Sequence, residues 1–308
     1  MVQNIRTAFR IVIDKLPYIR VLRKVVDDTG AYSPGHFHSP IPSREEVAEV
    51  VARSRTKPTG KGELPGISLN GEKQLELLKI FEAFYKDLPF PEEQTEGCRY
   101  YYRRSPYPYP DAIFLYSFLR YAKPKQIIEV GSGFSSAVIL DTVDRFFPQP
   151  PKITFIEPYP VNLKRLLRPE DTKRVTVVTE RVQKTPVELF ASLNSGDLLF
   201  IDSSHVVKCG SDLSFLFFDV LPRLRVGVYV HFHDIWLSFE YPEEWLLNGW
   251  YWNEAYFLRA FLSNNNAWEI CFFNNYVRTV SEDFLAAKMP LCLKDVGGSL
   301  YIRKIARD

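Results

Sequence analysis

The sequence is poor in the features that mark a secreted, zinc-binding or membrane-spanning protein. Its four cysteines, Cys98, Cys209, Cys271 and Cys292, show none of the paired spacings of a disulfide framework or a zinc site. No apolar run approaches the ~20 residues that a spanning helix needs. The first residues lack the apolar segment and the small-residue cleavage site of a signal peptide, so we expect a cytoplasmic protein.

The chain also lacks an excess of charge of one sign. Its 39 basic and 37 acidic residues give a formal net charge of +2 at pH 7. Proteins with nucleic acid as an obligate partner usually carry a strongly basic surface, so this balance argues against such a partner. With 46% hydrophobic and 25% charged residues, the composition is that of a globular protein with a sizeable core.

A glycine turn between a strand and a helix is the most informative local pattern. Residues 127–130, IIEV, form an apolar run that is typical of a buried parallel strand. Gly131 and Gly133 follow, and a helical pattern begins at Phe134. Such turns also occur without any ligand. When they bind one, they form half of a nucleotide-binding βαβ unit.

Two acids and a missing glycine narrow the choice of ligand. The dinucleotide fingerprint has a third glycine where this chain has Ser136. Glu129 lies in the strand just before the turn, where we expect its carboxylate to face the crevice and suit a cationic group. Glu157 ends the next predicted strand, where an acid accepts hydrogen bonds from ribose hydroxyls. A ligand with a ribose, a cationic group and no phosphate is S-adenosylmethionine.

Four segments in order carry a family resemblance: IIEVGSG, FIEP, DLLFIDSSH and HFHDI. Together they resemble the class I S-adenosylmethionine-dependent methyltransferases, in particular the bacterial branch with macrocin-type sugar O-methyltransferases. The resemblance runs from about residue 100 to the C-terminus. The cofactor-binding residues that we predict are Glu129, Gly131, Ser132, Gly133, Glu157 and Asp202.

Strands alternate with helices along the rest of the chain, which predicts an α/β fold with a doubly wound, mostly parallel, Rossmann-like sheet. The resemblance implies seven strands, with an antiparallel closing pair. The predicted strands after the first are 153–156, 175–178, 198–201, 226–232, 268–273 and 299–303. We assign residues 1–95 to an N-terminal helical and irregular extension, and residues 96–308 to the methyltransferase domain.

Acids and histidines follow two of these strands. Asp202 closes one strand, while His231, His233 and Asp234 close the next. We expect His231, the deeper of the two histidines, to be structural. In the resembling enzymes the two strands are neighbours, and acids at the positions of Asp202, His233 and Asp234 hold a magnesium-type ion. Imidazole favours zinc, iron, nickel or manganese over magnesium. We therefore predict that Asp202, His233 and Asp234 either hold an ion other than magnesium or hold no metal ion.

His205, three residues after Asp202, matches the proposed catalytic histidine of the resembling enzymes. A histidine with a pKa near neutrality suits the removal of a proton from an acceptor hydroxyl. Asp202 would assist it. The alternative is that His205 merely caps the following helix.

Trp245, Trp250 and Trp252 lie further along the chain. We predict that they form either a lid over the acceptor or an aromatic core, with Asn253 or Glu254 available to bond acceptor hydroxyls.

The sequence therefore predicts transfer of a methyl group to an oxygen of a small molecule or sugar. A non-catalytic ligand-binding or scaffold protein on the same fold is the alternative, and a nicotinamide oxidoreductase is disfavoured by the missing glycine. Residues 5–26 are basic and amphipathic, which suits peripheral membrane contact, a partner, or a solvated helix face. His36 and His38 lie in a loop and are weak metal candidates. The sequence leaves open whether the protein forms an oligomer.

Overall fold

The computed structural model describes residues 30–56, 64–103 and 105–306. Its contacts divide the chain into a smaller unit, residues 1–58 with 242–251, and a larger unit, residues 59–241 with 252–308. The larger unit contains the sheet and also residues 64–95. The predicted domain boundary between residues 95 and 96 stays a prediction. The basic segment 5–26 lies outside the described residues.

The larger unit contains a seven-stranded sheet. Its strands are β1 Gln126–Val130, β2 Lys152–Ile156, β3 Val175–Val178, β4 Leu198–Ile201, β5 Tyr229–Phe232, β6 Trp268–Phe273 and β7 Leu300–Lys304. They lie in the order β3-β2-β1-β4-β5-β7-β6. The first five are parallel, and β7 runs antiparallel to both of its neighbours. The predicted doubly wound, mostly parallel sheet is confirmed.

The described residues contain helices in both units. In chain order they are α1 Arg44–Thr56, α2 Gly71–Tyr85, α3 Tyr109–Ala122, α4 Phe134–Phe146, α5 Val161–Leu166, α6 Val187–Ala191, α7 Asp212–Phe215, α8 Glu243–Leu247, α9 Glu254–Leu262, α10 Asn274–Val280 and α11 Glu282–Lys288. Helix α7 is followed directly by a π-helical stretch, Leu216–Val220, and a 3-10 turn, Leu221–Arg223. Strand β5 starts later than predicted because Gly227 adopts φ 89° in a turn before it.

Helices α1 and α8 belong to the smaller unit. The sequence analysis missed α1, whose residues are mostly polar and whose buried apolar side chains are Val47 and Val51, one turn apart. These two buried valines are too few to give the helix a clear amphipathic pattern in the sequence. In the same unit, Arg55 Nε donates to Glu243 Oε2 at 2.9 Å.

Aromatic packing joins the helices to the sheet in the larger unit. The ring of Phe81 on α2 lies 4.9 Å from that of Phe272 on β6. The ring of Phe118 on α3 stacks at 4.4 Å on Tyr301 of β7. All four side chains are buried, and every residue of β4 and β5 is buried as well. Aromatic residues, 15% of the sequence, therefore fill much of the core between these two helices and the sheet.

A buried arginine ties the segment before α3 to the rest of the larger unit. Arg99 donates to Asp141 at 2.8 Å, to Asp144 at 2.7 Å and to Asp171 at 2.8 Å. The backbone amides of Arg99 and Tyr100 also donate to Asp141, at 2.7 and 2.9 Å. Burial raises the pKa of Asp144 and Asp171, but hydrogen bonds outweigh it and lower both values, with Arg99 and Arg174 donating to each.

Replacement of Arg99 should destabilise the protein in a pH-dependent way. Arg99→Met leaves Asp141 buried without its cation and leaves Asp171 with Arg174 alone, which should cost about 3–5 kcal/mol in the free energy of unfolding at pH 7. The lowered folded-state pKa of Asp144 and Asp171 means that the ion pairs of these two acids stabilise the protein above about pH 4 and lose that effect as the pH falls. The difference in the free energy of unfolding between wild type and variant, measured by urea denaturation, should therefore become smaller toward pH 3.

The control is Arg103→Ala, which removes an ion pair with Glu93 in which both side chains are more than half exposed. This variant should unfold almost like the wild type at every pH, because solvent screens exposed pairs. A gap for Arg99→Met that does not change with pH would contradict the assignment of the acid dependence to this network.

Candidate functional site

The glycine turn after β1 packs directly against the backbone that follows β4. Gly131 has φ 81°, and a Cβ atom at this position would lie 1.7 Å from the carbonyl oxygen of Asp202. The amide of Asp202 in turn donates to the carbonyl of Val130 at 2.9 Å. The turn and Asp202 are thus held in contact by the register of two parallel strands.

Glu129 is buried beneath this turn. Ser135 Oγ donates to its Oε1 at 2.6 Å, and the hydroxyl of Ser136 donates to its Oε2. Burial raises the pKa of Glu129 to about 8. The expectation that its carboxylate faces the crevice is wrong, because the two serines at the start of α4 take it up. A role for Glu129 in cofactor binding stays a prediction.

Glu157 connects the ends of β1 and β2. Its Oε2 accepts from the amide of Ser132 at 3.2 Å, and its Oε1 accepts from the amide of Tyr159 at 2.7 Å. The residue is partly exposed, and each carboxylate oxygen can accept more than one hydrogen bond. Glu157 is therefore oriented by the glycine turn and still able to accept hydrogen bonds from a ligand.

Four side chains that follow β4 and β5 form what we call the acid–histidine group: Asp202, His205, His233 and Asp234. His205 Nε2 lies 3.4 Å from Asp202 Oδ1 and 3.5 Å from Asp234 Oδ2. His233 Nδ1 lies 3.6 and 3.5 Å from the Oδ1 atoms of the same two acids. The predicted convergence of the two strand ends is confirmed, while the catalytic and metal roles of these residues stay predictions.

A buried carboxylate lies behind each of the two imidazoles. Glu254 Oε2 lies 2.8 Å from His205 Nδ1, and Asp111 Oδ2 lies 3.5 Å from His233 Nε2. Sequence reasoning missed Asp111, although an acid in the apolar run of α3 is a usable signal. It expected Glu254 or Asn253 to reach acceptor hydroxyls, which stays a prediction; in the structure Glu254 is buried and bonded to His205.

The loop that carries His205 is held in a strained conformation. His205 and Asp234 both have φ 57°, a left-handed value that costs side-chain-bearing residues roughly 1–3 kcal/mol. The amides of Asn253 and Glu254 both donate to the carbonyl of His205 at 3.1 Å. The side chain of Asn253 bonds the backbone of Val207 in both directions. The start of α9 thus fixes the position of His205.

Charged neighbours shift the pKa values of His205 and Asp202. Burial lowers the pKa of His205, but hydrogen bonds and charges of Asp202 and Glu254 outweigh it and raise the pKa to about 10. Burial also raises the pKa of Asp202, yet His233 and His205 hold it well below its usual range. The expectation of a near-neutral pKa for His205 is wrong here, because carboxylates face both ring nitrogens.

His231 and Trp252 border the group. His231 is fully buried, bonds Ser299 Oγ through Nε2 at 2.9 Å and stacks on Phe200 at 3.9 Å, as a structural histidine would. The ring of Trp252 lies 4.4 Å from that of His205. The predicted lid stays a prediction. Its other two members, Trp245 and Trp250, belong to the smaller unit, where their rings lie 5.1 Å apart.

One set of metal-ligating side chains is present in residues 30–56, 64–103 and 105–306. Asp202, His233 and Asp234 each offer one ligand atom, and these atoms lie within 4.8 Å of one another. His36 and His38 are in the smaller unit, where His36 Nδ1 accepts from the amide of His38 at 3.1 Å. None of the helices in the described parts of the chain has both the length and the apolar character that crossing a membrane requires.

Comparison with known proteins gives a partial match. Residues 128–235 match a methyltransferase domain family. This range begins in β1 and ends just after Asp234, so it includes the glycine turn and the whole acid–histidine group. An uncharacterized protein of Archaeoglobus fulgidus is 37% identical over 139 residues, which are 44% of this chain and 61% of that protein. The chain thus spans about three fifths of the length of this relative.

Two solved structures are distantly similar. One is the SAH-bound methyltransferase PaMTH1 of Podospora anserina, with a TM-score of 0.43 and 14% identity over 86% of this chain and 98% of that one. The other is the O-methyltransferase TomG of Streptomyces achromogenes in complex with SAM, with a TM-score of 0.39 and 14% identity over 86% of this chain and all of that one.

The contact between Gly131 and Asp202 predicts the effect of a single methyl group. Gly131→Ala adds a Cβ at a positive φ and against a backbone carbonyl that cannot move alone. The φ strain should cost about 1–2 kcal/mol in the free energy of unfolding, and the overlap roughly 1–3 kcal/mol more. The control is Gly196→Ala, which has φ 90° and no atom within 4 Å of the new Cβ. Equal losses in urea denaturation would mean that the close approach has no energetic effect.

Proposed function

We propose that the protein is an S-adenosylmethionine-dependent methyltransferase that methylates a hydroxyl oxygen of a small molecule or sugar, as macrocin-type enzymes do. One observation carries the proposal. The glycine turn with Glu157 and the acid–histidine group lie side by side at the carboxyl edge of one parallel sheet, in backbone contact through Gly131 and Asp202. Open α/β sheets bind their ligands at this edge. The family match over residues 128–235 supports the same reading.

The cofactor would bind over the glycine turn. Gly131 and Gly133 leave the turn without side chains that would block a ligand. Glu157, held by the amides of Ser132 and Tyr159, would accept hydrogen bonds from ribose hydroxyls. Ser132 Oγ is buried and has no hydrogen-bond partner within the described part of the chain, so it would be available to the ligand as well. Glu129 would act from beneath, by fixing the serines that begin α4.

The chemistry would take place at the acid–histidine group. S-adenosylmethionine supplies an activated methyl group, so the acceptor oxygen forms a bond to carbon as the carbon–sulfur bond breaks, and the hydroxyl proton must leave. His205 Nε2 would accept that proton. Glu254 would hold the ring by its Nδ1 atom and stabilise the imidazolium that results. Because the pKa of His205 is about 10 beside its two carboxylates, the base needs a cation near them to become neutral.

The acid–histidine group also fits a divalent metal ion. Asp202, His233 and Asp234 present three ligand atoms within 4.8 Å of one another, and neither ring nitrogen of the buried His233 has a hydrogen bond to another described residue. A bound ion would supply Lewis acidity that lowers the pKa of the acceptor hydroxyl. We therefore include metal assistance in the proposal, with His205 left to accept the proton.

We also infer a cytoplasmic enzyme without a nucleic-acid partner. The near balance of charges and the absence of disulfide-type cysteine spacing support this inference. Peripheral membrane contact through residues 5–26 and oligomer formation stay predictions.

Binding of S-adenosylmethionine is the first test. Calorimetry should give a dissociation constant in the micromolar range or better, and Glu157→Ala should weaken binding by about 1.5–3 kcal/mol, because a carboxylate that accepts ribose hydroxyls is lost. The matched control is Glu282→Ala, which removes an exposed glutamate at the start of α11. Unchanged affinity in Glu157→Ala, or tighter binding of a nicotinamide dinucleotide, would refute the cofactor assignment.

The second test concerns the base. Hydroxylated small molecules and sugars would be screened for methyl transfer from radiolabelled S-adenosylmethionine. With an acceptor in hand, His205→Ala should lower kcat by a factor of about 10²–10⁴ while cofactor binding stays nearly unchanged. Because Glu254 acts only through His205, adding Glu254→Ala to His205→Ala should cause little further loss.

The outcomes separate the possible roles of His205. Wild-type kcat in His205→Ala would show that the proton goes elsewhere. Losses that multiply in the double variant would show that Glu254 acts independently of the histidine. Circular dichroism and thermal unfolding of each variant exclude loss of the fold as the cause.

A further inference from the structure

His233 is a buried imidazole without a hydrogen-bond partner. It is 5% exposed, and neither ring nitrogen makes a hydrogen bond within the described residues. The nearest carboxylate oxygens, of Asp111, Asp202 and Asp234, lie at 3.5 to 3.6 Å, beyond the usual range of such bonds. Leaving a buried polar group unpaired costs roughly 1–3 kcal/mol. The unpaired imidazole therefore destabilises the folded protein, and an ion bound to its nitrogen would remove this free-energy cost.

The spacing around His233 Nδ1 suits a shared ion. Its distances to Asp202 Oδ1 and Asp234 Oδ1 are 3.6 and 3.5 Å. Atoms bound to one ion at about 2.1 Å lie about 3.0 Å apart in octahedral geometry and about 3.4 Å apart in tetrahedral geometry. The distances from His233 Nδ1 to the two acids are therefore within a few tenths of an ångström of those around one ion, and all three ligand atoms lie within 4.8 Å of one another.

Asp111 lies beside Nε2 of His233, and Nδ1 of the same ring faces the two other acids. The carboxylate of Asp111 lies 3.5 Å from His233 Nε2. Ser299 Oγ donates to it at 2.6 Å, Asn274 Nδ2 at 2.7 Å and the amide of Gly298 at 3.1 Å, so its orientation is set by three donors. A metal-bound histidine usually donates its other ring N–H to such a carboxylate. Asp111 is in the position of that partner, and the opposite nitrogen is directed at Asp202 and Asp234.

The donor set decides which ions fit. Magnesium prefers oxygen ligands and keeps several waters, whereas a neutral imidazole favours manganese, iron, cobalt or zinc. We propose that Asp202, His233 and Asp234 bind a first-row transition metal ion in preference to Mg²⁺, with Asp111 as the residue that positions the imidazole ligand. The inference rests on the proposed function for the use of the ion, but binding of the ion is measurable without any methyl transfer.

Metal titration tests the inference on the whole protein. After chelator treatment, calorimetry should show that Mn²⁺ and Zn²⁺ bind once per chain and on the order of 10²-fold more tightly than Mg²⁺. His233→Asp should remove most of this preference, because all protein ligands are then oxygens. Asp111→Asn should weaken Mn²⁺ binding by about 10- to 100-fold, the usual effect of losing a carboxylate behind a histidine ligand. His38→Ala, which removes an exposed histidine, should change nothing.

A spectroscopic readout identifies the ligand. Pulsed electron paramagnetic resonance of bound Mn²⁺ should show coupling to an imidazole nitrogen in the wild type and in His205→Ala, and no coupling in His233→Asp. Mg²⁺ binding as tight as Mn²⁺ binding in the wild type, no binding of either ion, or nitrogen coupling that disappears in His205→Ala would each overturn the inference. The wild-type titration keeps this test valid even if a variant fails to fold.

Calorimetry with S-adenosylmethionine separates this inference from the proposed function. A protein that binds Mn²⁺ through His233 but not the cofactor would keep the metal assignment and lose the enzymatic one. A protein that binds the cofactor and prefers Mg²⁺ would do the reverse.

Discussion

The approach of the Gly131 backbone to the Asp202 carbonyl is the constraint on which the candidate site depends. Parallel pairing of β1 with β4 places Val130 beside Ile201, so the two chain segments that leave these strands must turn away in contact. Only glycine fits, since a Cβ would overlap the Asp202 carbonyl at 1.7 Å. The glycine turn and the first acid of the acid–histidine group are thereby held in direct backbone contact.

Charge balance explains the arrangement around that unit. Asp202 and Asp234 lie between two imidazoles, and each imidazole has a further carboxylate behind it, Glu254 for His205 and Asp111 for His233. Buried charges are tolerated only when they are paired or bound to a metal. The two histidines differ in how well they are satisfied. His205 has a short contact to Glu254 at 2.8 Å, whereas His233 has no hydrogen bond. This difference is why we give the base role to one and the ligand role to the other.

A second buried network stabilises the scaffold without taking part in the chemistry. Arg99 joins the segment before α3 to Asp141 and Asp144 on α4 and to Asp171. Helix α4 begins at the glycine turn, and Asp111 lies on α3, the helix that follows the Arg99 segment. The network therefore links the two helices from which the turn and the His233 partner arise. Buried pairs of this kind contribute to a unique arrangement more reliably than to net stability.

The sequence by itself determined the sheet, the glycine turn and the presence of acids and histidines at two strand ends. Period-two and helical patterns are local, and the strands from Ile153 to Phe273 appeared almost where they were predicted. Tertiary structure decided how the charged groups pair. The carboxylate of Glu129 accepts hydrogen bonds from Ser135 and Ser136 instead of facing the crevice. The carboxylate of Glu254 is buried against the imidazole of His205. Asp111 lies 122 positions before His233, and no local pattern indicates that they meet. Such pairings, and the pKa of His205 that follows from them, depend on distances between segments far apart in the chain, which a single sequence does not contain.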